Sequence, residues 1–220
     1  MRKSLSALAT VAAVSLLGTA TAAQAGITMS AVEGSASYAG PFTYDFESAA
    51  PITGGAIRTG SFSGLAAQPF GSTGNYWTLG PSDGATGLMN LAGFSAIKAI
   101  GFLWGSVDTY NWVDVLGRDG SVLKTFNGVD VAMSPNGSWI TPVMNPYAKI
   151  TISGADRANI GGLRFRSDGN AFEMDNFAIG AVPEPATWAL FVLGFGALGG
   201  AMRRRSRAMV ASHGRLVFAR

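Results

Sequence analysis

Carboxylate side chains are the groups in this sequence best suited to acid–base chemistry, and four of them fall close together: Asp108, Asp114, Asp119 and Asp130. A glycoside hydrolase needs two such groups facing each other across a cleft. Asp119 falls in a predicted turn, Asp114 points outward from a predicted strand, and Asp130 lies near an Asn-Gly turn. Because this pattern favours solvated turns and polar faces, we predict no catalytic residues and no enzymatic activity. A carboxylate glycosidase is the enzymatic alternative.

Histidine and cysteine are absent from residues 26–182, the body of the chain. There is no cysteine at all, and the single histidine is His213 near the C-terminus. The body therefore has no Ser-His-Asp triad, no thiol nucleophile and no histidine- or cysteine-based zinc site. Acidic residues outnumber basic ones in the body, and no basic stripe runs along it, so we expect no nucleic-acid partner.

Large aromatic side chains are numerous for a body of this size. They include Trp77, Trp104, Trp112, Trp139, Tyr76, Tyr110 and Tyr147. Such rings either fill a core or, when exposed, stack on sugars. We expect Trp77 and Trp104 to lie in the core. Tyr110, Asn111 and Trp112 fall in a predicted loop, which makes them possible glycan contacts.

Acidic pairs on the first and last predicted strands suggest one metal site. Asp45 and Glu47 share one face of the first strand, and Glu173 and Asp175 share one face of the last. Calcium takes about six to eight oxygen ligands, so backbone and water would have to complete the set. We predict one structural Ca²⁺ held by Asp45, Glu47 and Asp175, with carboxylates that simply edge the sheet in water as the alternative. No cofactor is predicted to be required.

Short apolar runs separated by turn residues set the predicted fold. The candidate strands are Phe42–Glu47, Tyr76–Leu79, Ile97–Trp104, Trp112–Leu116, Val122–Phe126, Lys149–Ser153, Leu163–Arg166 and Phe172–Ile179. Ile100, Phe102 and Trp104 alternate on one face, and Asp119-Gly120 supplies the positive φ of a hairpin turn. We predict an all-β body, an antiparallel β-sandwich of jelly-roll type.

The N-terminus has the three parts of a secretory signal peptide over residues 1–25. Arg2 and Lys3 precede an apolar segment, and a small-x-small cleavage site, Ala23-Gln24-Ala25, follows. We predict a signal helix, recognition by the secretion machinery and signal peptidase, and a mature chain that starts at Gly26.

The C-terminus combines a proline-rich motif, an apolar run and an arginine cluster. Pro183-Glu184-Pro185 precedes the uncharged run Ala186–Met202, which is at the short end of what spans a bilayer. Arginines begin directly after it, at Arg203, and the positive-inside rule keeps them in the cytoplasm. We predict a transmembrane helix with the body outside the inner membrane.

This tail resembles the PEP-CTERM sorting signal in its PEPxxWA variant. The residues that carry the resemblance are Pro183, Glu184, Pro185, Trp188, Ala189, Arg203, Arg204 and Arg205. The resemblance implies recognition and processing by an exosortase in a bacterium that makes exopolysaccharide. It also implies a precursor anchored in the inner membrane with its body in the periplasm, followed by release to the cell surface. Family members end soon after the arginines, whereas this chain continues over residues 208–220.

The predicted domain plan is a signal peptide (1–25), a β-sandwich body (26–182), a sorting tail (183–207) and a C-terminal extension (208–220). The predicted function is that of an exported surface or extracellular-matrix protein associated with exopolysaccharide or biofilm. The alternative is a carbohydrate-binding module in the same location.

Overall fold

The computed structural model describes residues 26–33, 42–181 and the single residue 195. The strands in these residues are β1 (Gly26–Val32), β2 (Ile52–Thr53), β3 (Ala56–Thr59), β4 (Asn75–Leu79), β5 (Thr86–Asn90), β6 (Ile97–Gly105), β7 (Asn111–Gly117), β8 (Val122–Asn127), β9 (Tyr147–Ser153), β10 (Ile160–Ser167) and β11 (Phe172–Ala181). Between residues 42 and 181, helical structure is confined to α1 (Asp156–Asn159) and the 3₁₀ turns Gly128–Asp130 and Pro142–Met144. The prediction of an all-β body is confirmed.

The strands form two antiparallel sheets. The six-stranded sheet has the order β1-β9-β6-β11-β4-β3, and the five-stranded sheet has the order β2-β5-β10-β7-β8. Pairing is nested, because β4 pairs with β11, β5 with β10, β6 with β9, and β7 with β8. Segments far apart in the sequence therefore meet side by side.

One apolar core lies between the sheets and is rich in aromatic rings. Trp77 and Trp104 are fully buried, as predicted, and so are Phe102 and Ile100, which alternate with Trp104 along β6. Phe165 packs edge-on against Trp77 and Phe102 with ring centroids 5.3 and 5.5 Å apart. Burying a side chain of this size contributes on the order of 2 kcal/mol, so this cluster fixes how the two sheets face each other.

The first predicted strand, Phe42–Glu47, is wrong. This segment bends at Thr43, Phe46 and Glu47 and makes only an isolated antiparallel bridge between Tyr44 and Phe177. Phe46 has a φ of 61°, a left-handed conformation that interrupts an extended run. The bridge nevertheless places this segment beside the last strand.

Strand β5 was missed because its inward-facing positions carry little apolar signal. The two buried residues are Gly87 and Met89. A Cβ at Gly87 would lie 2.4 Å from Cζ2 of Trp77, so the indole fills the space that a side chain on β5 would otherwise occupy. Strands β1, β2 and β3 were also missed.

A β-bulge in β11 changes which side chains face the core. The period-two pattern places Asn176 on the same face as Phe172 and Met174, but the pairing with β6 shifts register between Asp175 and Ala178. Asn176 has a φ of 54°, and Phe177 is the fully buried residue instead. The bulge thus starts a second inward-facing run on the same strand.

Within the part of the chain that the structure describes, no helix is long and apolar enough to cross a membrane. The predicted signal helix and nearly all of the predicted transmembrane helix, Ala186–Met202, lie outside the described residues.

Candidate functional site

A cleft of about 570 Å³ lies where four connecting loops come together. The β3–β4 loop contributes residues 61–67, and the β8–β9 loop contributes Asn136, Gly137 and Trp139. Asp108 and Tyr110 come from the β6–β7 loop. The lining is completed by the β10–β11 loop, Ser106 and Glu173. Loops on a rigid sheet are where binding groups are usually carried.

Glu173 on β11 joins the floor of this cleft to its wall. Its side chain is 1% exposed. One carboxylate oxygen accepts a hydrogen bond from the Ala67 amide at 2.8 Å, and the other accepts from the Ser106 hydroxyl. Burial raises the pKa of Glu173 to about 7, against the opposing effect of these hydrogen bonds. The carboxyl group therefore fastens the β3–β4 loop onto the six-stranded sheet.

Asn145 fastens the other wall of the cleft, the β8–β9 loop, to the same sheet. Its carbonyl oxygen accepts from the amides of Ser106 and Phe70, at 3.1 and 3.0 Å. Its amide nitrogen donates to the carbonyl oxygens of Ser138 and Thr141, at 3.0 and 2.8 Å. Asn145 is fully buried, so these four hydrogen bonds satisfy it completely and link the β3–β4 and β8–β9 loops to the end of β6.

Asp108 and Tyr110 lie close together on the cleft. The Tyr110 hydroxyl donates to the Asn170 carbonyl at 3.5 Å, and the Asp108 carboxylate lies near enough for each side chain to influence the pKa of the other. Burial raises the pKa of Asp108, and burial together with Asp108 raises that of Tyr110. Glycine lets the backbone approach both side chains: a Cβ at Gly169 would lie 2.7 Å from the Tyr110 ring, and one at Gly137 would lie 2.8 Å from the Asp108 oxygens.

Exposed apolar rings flank these polar groups. Trp139 is 51% exposed and Phe62 is 45% exposed. Asn170 holds the β3–β4 loop beside them by donating to the Gly64 carbonyl at 3.1 Å. A flat ring beside hydroxyl, carboxylate and amide groups can stack on the apolar face of a sugar while its hydroxyls are hydrogen-bonded.

The structure separates the three predicted glycan contacts. Tyr110 lines the cleft, as a contact residue requires. Asn111 is fully buried and bonded to Ser167 at 2.6 Å and to the Ala171 carbonyl at 3.3 Å, so its prediction as a glycan contact is wrong. The reason is that β7 starts at Asn111, which turns its side chain inward. Trp112 then lies on the outer face of the five-stranded sheet, opposite Arg166, and does not line the cleft.

The four aspartates that are close together in the sequence lie at different sites in the structure. Asp108 lines the cleft, Asp119 accepts hydrogen bonds from Ser121 in the β7–β8 turn, and Asp130 caps a 3₁₀ turn. Asp114 points outward as predicted, but it is 1% exposed and bound by arginines rather than solvated. No two of these aspartates line the cleft together.

The carboxylates predicted to hold calcium all have protein partners. Asp45 accepts from the Glu47 amide at 3.2 Å, Glu47 from the Asn75 amide at 2.6 Å, and Asp175 from the Ser72 hydroxyl at 2.6 Å. Burial raises the pKa of Asp175 to about 7, with smaller contributions from Asp45 and Glu47. Among the described residues, no group of three or more acidic or histidine side chains is placed to hold a metal ion. The calcium site stays a prediction.

The body is thus a two-sheet β protein with a loop-lined cleft, and the sequence beyond it matches a known family model. The model described as the PEP-CTERM protein-sorting motif matches residues 181–205. The chain therefore carries a PEP-CTERM sorting motif over these residues. The motif implies exosortase-dependent export to the cell surface through a membrane-anchored precursor, with exosortase as the processing partner. No curated protein and no solved structure matches the chain.

The matched range includes every residue predicted for the sorting signal: Pro183, Glu184, Pro185, Trp188, Ala189, Arg203, Arg204 and Arg205. The resemblance found in the sequence is confirmed. These residues, like Ala23 and Ala25 of the predicted signal-peptide cleavage site, lie outside the described residues, whereas Gly26 begins β1.

Proposed function

We propose that the body is a non-catalytic glycan-binding module that associates with exopolysaccharide at the cell surface. The observation that carries this proposal is the cleft that brings Tyr110, Trp139 and Phe62 beside the carboxylate of Asp108 and the amide of Asn170. Pockets that recognise small molecules combine apolar walls with a few placed polar groups in this way. A protein that is displayed at the cell surface would lie beside the exopolysaccharide there.

The body is also inferred to be a jelly roll. Eight consecutive strands, β4 to β11, supply four strands to each sheet, and their nested pairing supports one long hairpin folded onto itself. Two four-stranded sheets of this kind are the jelly-roll arrangement, which lectins use among other proteins. The fold alone does not assign a ligand, so the proposal depends on the cleft.

A glycosidase is the second candidate, because Asp108 and Glu173 line the same cleft. A pKa near 7 at Glu173 would suit a general acid. Both oxygens of Glu173 are occupied by Ala67 and Ser106, however, and its side chain is 1% exposed. A carboxyl group used in this way holds a loop in place, and we therefore favour binding over hydrolysis.

The export route supports the same location. The proposed signal peptide ends at Ala25, and Gly26, the first residue of the proposed mature chain, pairs with Ser153 in β1–β9. A mature chain that starts there would keep this strand complete. The proposed helix Ala186–Met202 would hold the precursor in the inner membrane until an exosortase releases it.

The test is binding of the body, residues 26–182, to exopolysaccharide from the producing cell, measured by calorimetry. Trp139→Ala and Tyr110→Ala should each weaken binding by about tenfold, which corresponds to about 1.4 kcal/mol. Val32→Ala removes an exposed apolar side chain from β1, outside the cleft lining, and should leave affinity unchanged. Equal affinity in all four proteins would refute a binding role for the cleft.

The same samples separate the two candidates. Release of new reducing ends from the polysaccharide, abolished by Asp108→Asn, would establish hydrolysis in place of binding. Saturable binding with no change in chain length would support the binding module.

A further inference from the structure

The outer face of the five-stranded sheet carries a second organised set of polar side chains, which shares no residue with the cleft lining. Strand register places Arg164 opposite Asp114, and Arg166 opposite Trp112. Asp114 in turn lies opposite Thr125 on β8. The core-facing residues of these strands alternate with this row, so the row faces away from the core.

Asp114 is buried beneath the two arginines. Its oxygens accept hydrogen bonds from Nε of Arg164 at 2.8 Å and from Nε and Nη2 of Arg166 at 2.9 and 3.2 Å. Nη2 of Arg164 lies 2.8 Å from Oδ2, and the Thr125 hydroxyl donates at 2.7 Å. Five contacts saturate this carboxylate. Burial tends to raise the pKa of Asp114, but the hydrogen bonds from Arg166, Thr125 and Arg164 outweigh it, and the pKa is lowered.

Asp114 therefore acts as a support that holds two guanidinium groups in fixed positions. Their side chains remain 36% exposed, and in the described part of the chain Nη1 of each has no hydrogen-bond partner. The Arg166 guanidinium also lies 5.3 Å from the centroid of the Trp112 ring. Arginine donors fixed in advance lose little conformational entropy when they bind an anion.

The charge of this face points to an anionic ligand. Two arginines share one buried carboxylate, which leaves one unit of positive charge at the surface. Asp168, an exposed residue in the β10–β11 turn, is close enough to raise the pKa of Arg166 and opposes part of this charge. Since Asp168 is not hydrogen-bonded to either arginine, it does not occupy their free donors.

We propose that this face, formed by Arg164, Arg166 and Trp112 on Asp114, binds the carboxylates of an acidic polysaccharide. Nη1 of the arginines would donate to a uronate carboxylate, and the Trp112 ring would lie against the sugar. Neighbouring outer-face side chains such as Thr86, Leu88 and Asn90 are exposed, so the surface is open to an extended polymer. The proposal rests on display outside the cell, and it does not require the cleft to bind anything.

The test uses the full chain in non-ionic detergent with polygalacturonate as the probe, measured by calorimetry at low and high salt. Arg164→Gln and Arg166→Gln should each weaken binding by about tenfold, and each leaves Asp114 paired with the other arginine. Asp168→Asn should strengthen binding several-fold without touching the Asp114 network. Lys98→Gln removes one exposed positive charge from the other sheet and should change nothing.

Three results would overturn the proposal. The first is that the fully methyl-esterified polymer binds as tightly as polygalacturonate, and the second is that polyglutamate does so. The third is that Lys98→Gln lowers the affinity for polygalacturonate as much as the arginine variants do. The second would indicate a general polyanion surface. A Trp139→Ala variant of the full chain should bind polygalacturonate normally, so failure of the cleft proposal and failure of this one are told apart. Thermal unfolding of each variant checks that it is folded.

Discussion

Glu173 is the residue that links the stability of the body to the shape of the cleft. Its carboxyl group is buried beside Ser106 and Ala67, and burial raises its pKa from 4.5 to about 7. Asp175 on the same strand is raised from 3.8 to about 7, also by burial. A folded state that keeps these carboxyl groups protonated gains stability when protons are available.

We expect the body to become less stable as pH rises from 5 to 8. The raised pKa means that the folded state holds a proton which the unfolded chain has already lost, so this stability is full below about pH 4 and is gone above about pH 7. Glu173 alone should account for about 2 kcal/mol between pH 5 and 8. Urea unfolding of residues 26–182 at several pH values measures this.

Glu173→Gln should reduce that slope, because its amide keeps an acceptor for Ala67 but does not ionise. Asp156→Asn, a change on α1 outside the cleft, is the matched control and should keep the wild-type slope. Asp114 does not disturb the measurement, since its lowered pKa lies below this range. A stability that is flat or rises between pH 5 and 8 would contradict the burial of a protonated Glu173.

At the scale of the element, β11 depends on its bulge. The strand first presents Met174 to the core and, after the register shift, Phe177. Asn176 makes the shift with a φ of 54°, a conformation that asparagine and glycine adopt at low cost and β-branched residues do not. The Tyr147 hydroxyl also donates to the Asn176 carbonyl at 3.2 Å, which ties the bulge to β9.

Asn176→Val should lower the free energy of unfolding by about 1–2 kcal/mol, because valine is strained at positive φ. Asn176→Gly is the matched control and should remain within a few tenths of a kcal/mol of the wild type, since glycine accepts this conformation. Chemical denaturation of the three proteins measures the difference. Equal stability of the valine and glycine variants would mean that the bulge does not need this backbone conformation.

At the scale of the whole molecule, display outside the cell depends on the sorting motif at residues 181–205. In a host with an exosortase, we expect a released form that starts at Gly26 and ends near Pro183. In a host without the enzyme, the chain should stay in the membrane fraction. Intact-mass analysis of the released protein reports both ends in one measurement.

Glu184→Ala should keep the protein in the membrane fraction of the exosortase host, because it removes the acidic residue of the sorting motif. Glu33→Ala, which changes a glutamate in the body, should be released like the wild type. Unchanged release of the Glu184→Ala protein would favour a plain membrane anchor with a different release route.

Structural features that depend on neighbouring residues could be predicted from the sequence. The alternation of Ile100, Phe102 and Trp104 identified a strand, although β6 is buried on both faces from Ile100 to Gly105 and is not half-buried. Asp119-Gly120 identified the β7–β8 hairpin. The sorting motif was also readable, because a motif, an apolar run and a basic end in a fixed order are a linear code. Each of these features depends on local backbone geometry or on short-range order along the chain.

The cleft could be found only from the tertiary structure. Glu173 binds Ala67 and Ser106, which lie 106 and 67 positions away in the sequence, and no local pattern announces such partners. Asn145 likewise sits in a short turn without a periodic signal. Nested strand pairing brings these positions together, so the site is a product of long-range contacts.

The tertiary structure also determined where the side chains of Tyr110, Asn111 and Trp112 lie. The sequence had grouped these three residues as one set of glycan contacts. In a strand, successive side chains point to opposite faces, so the start of β7 at Asn111 sends that residue inward and Trp112 outward. Tyr110 stays on the loop and lines the cleft. The residue types indicated which side chains are able to bind a sugar, whereas the start of one strand, fixed by its pairing with β10 and β8, determined which surface each one reaches.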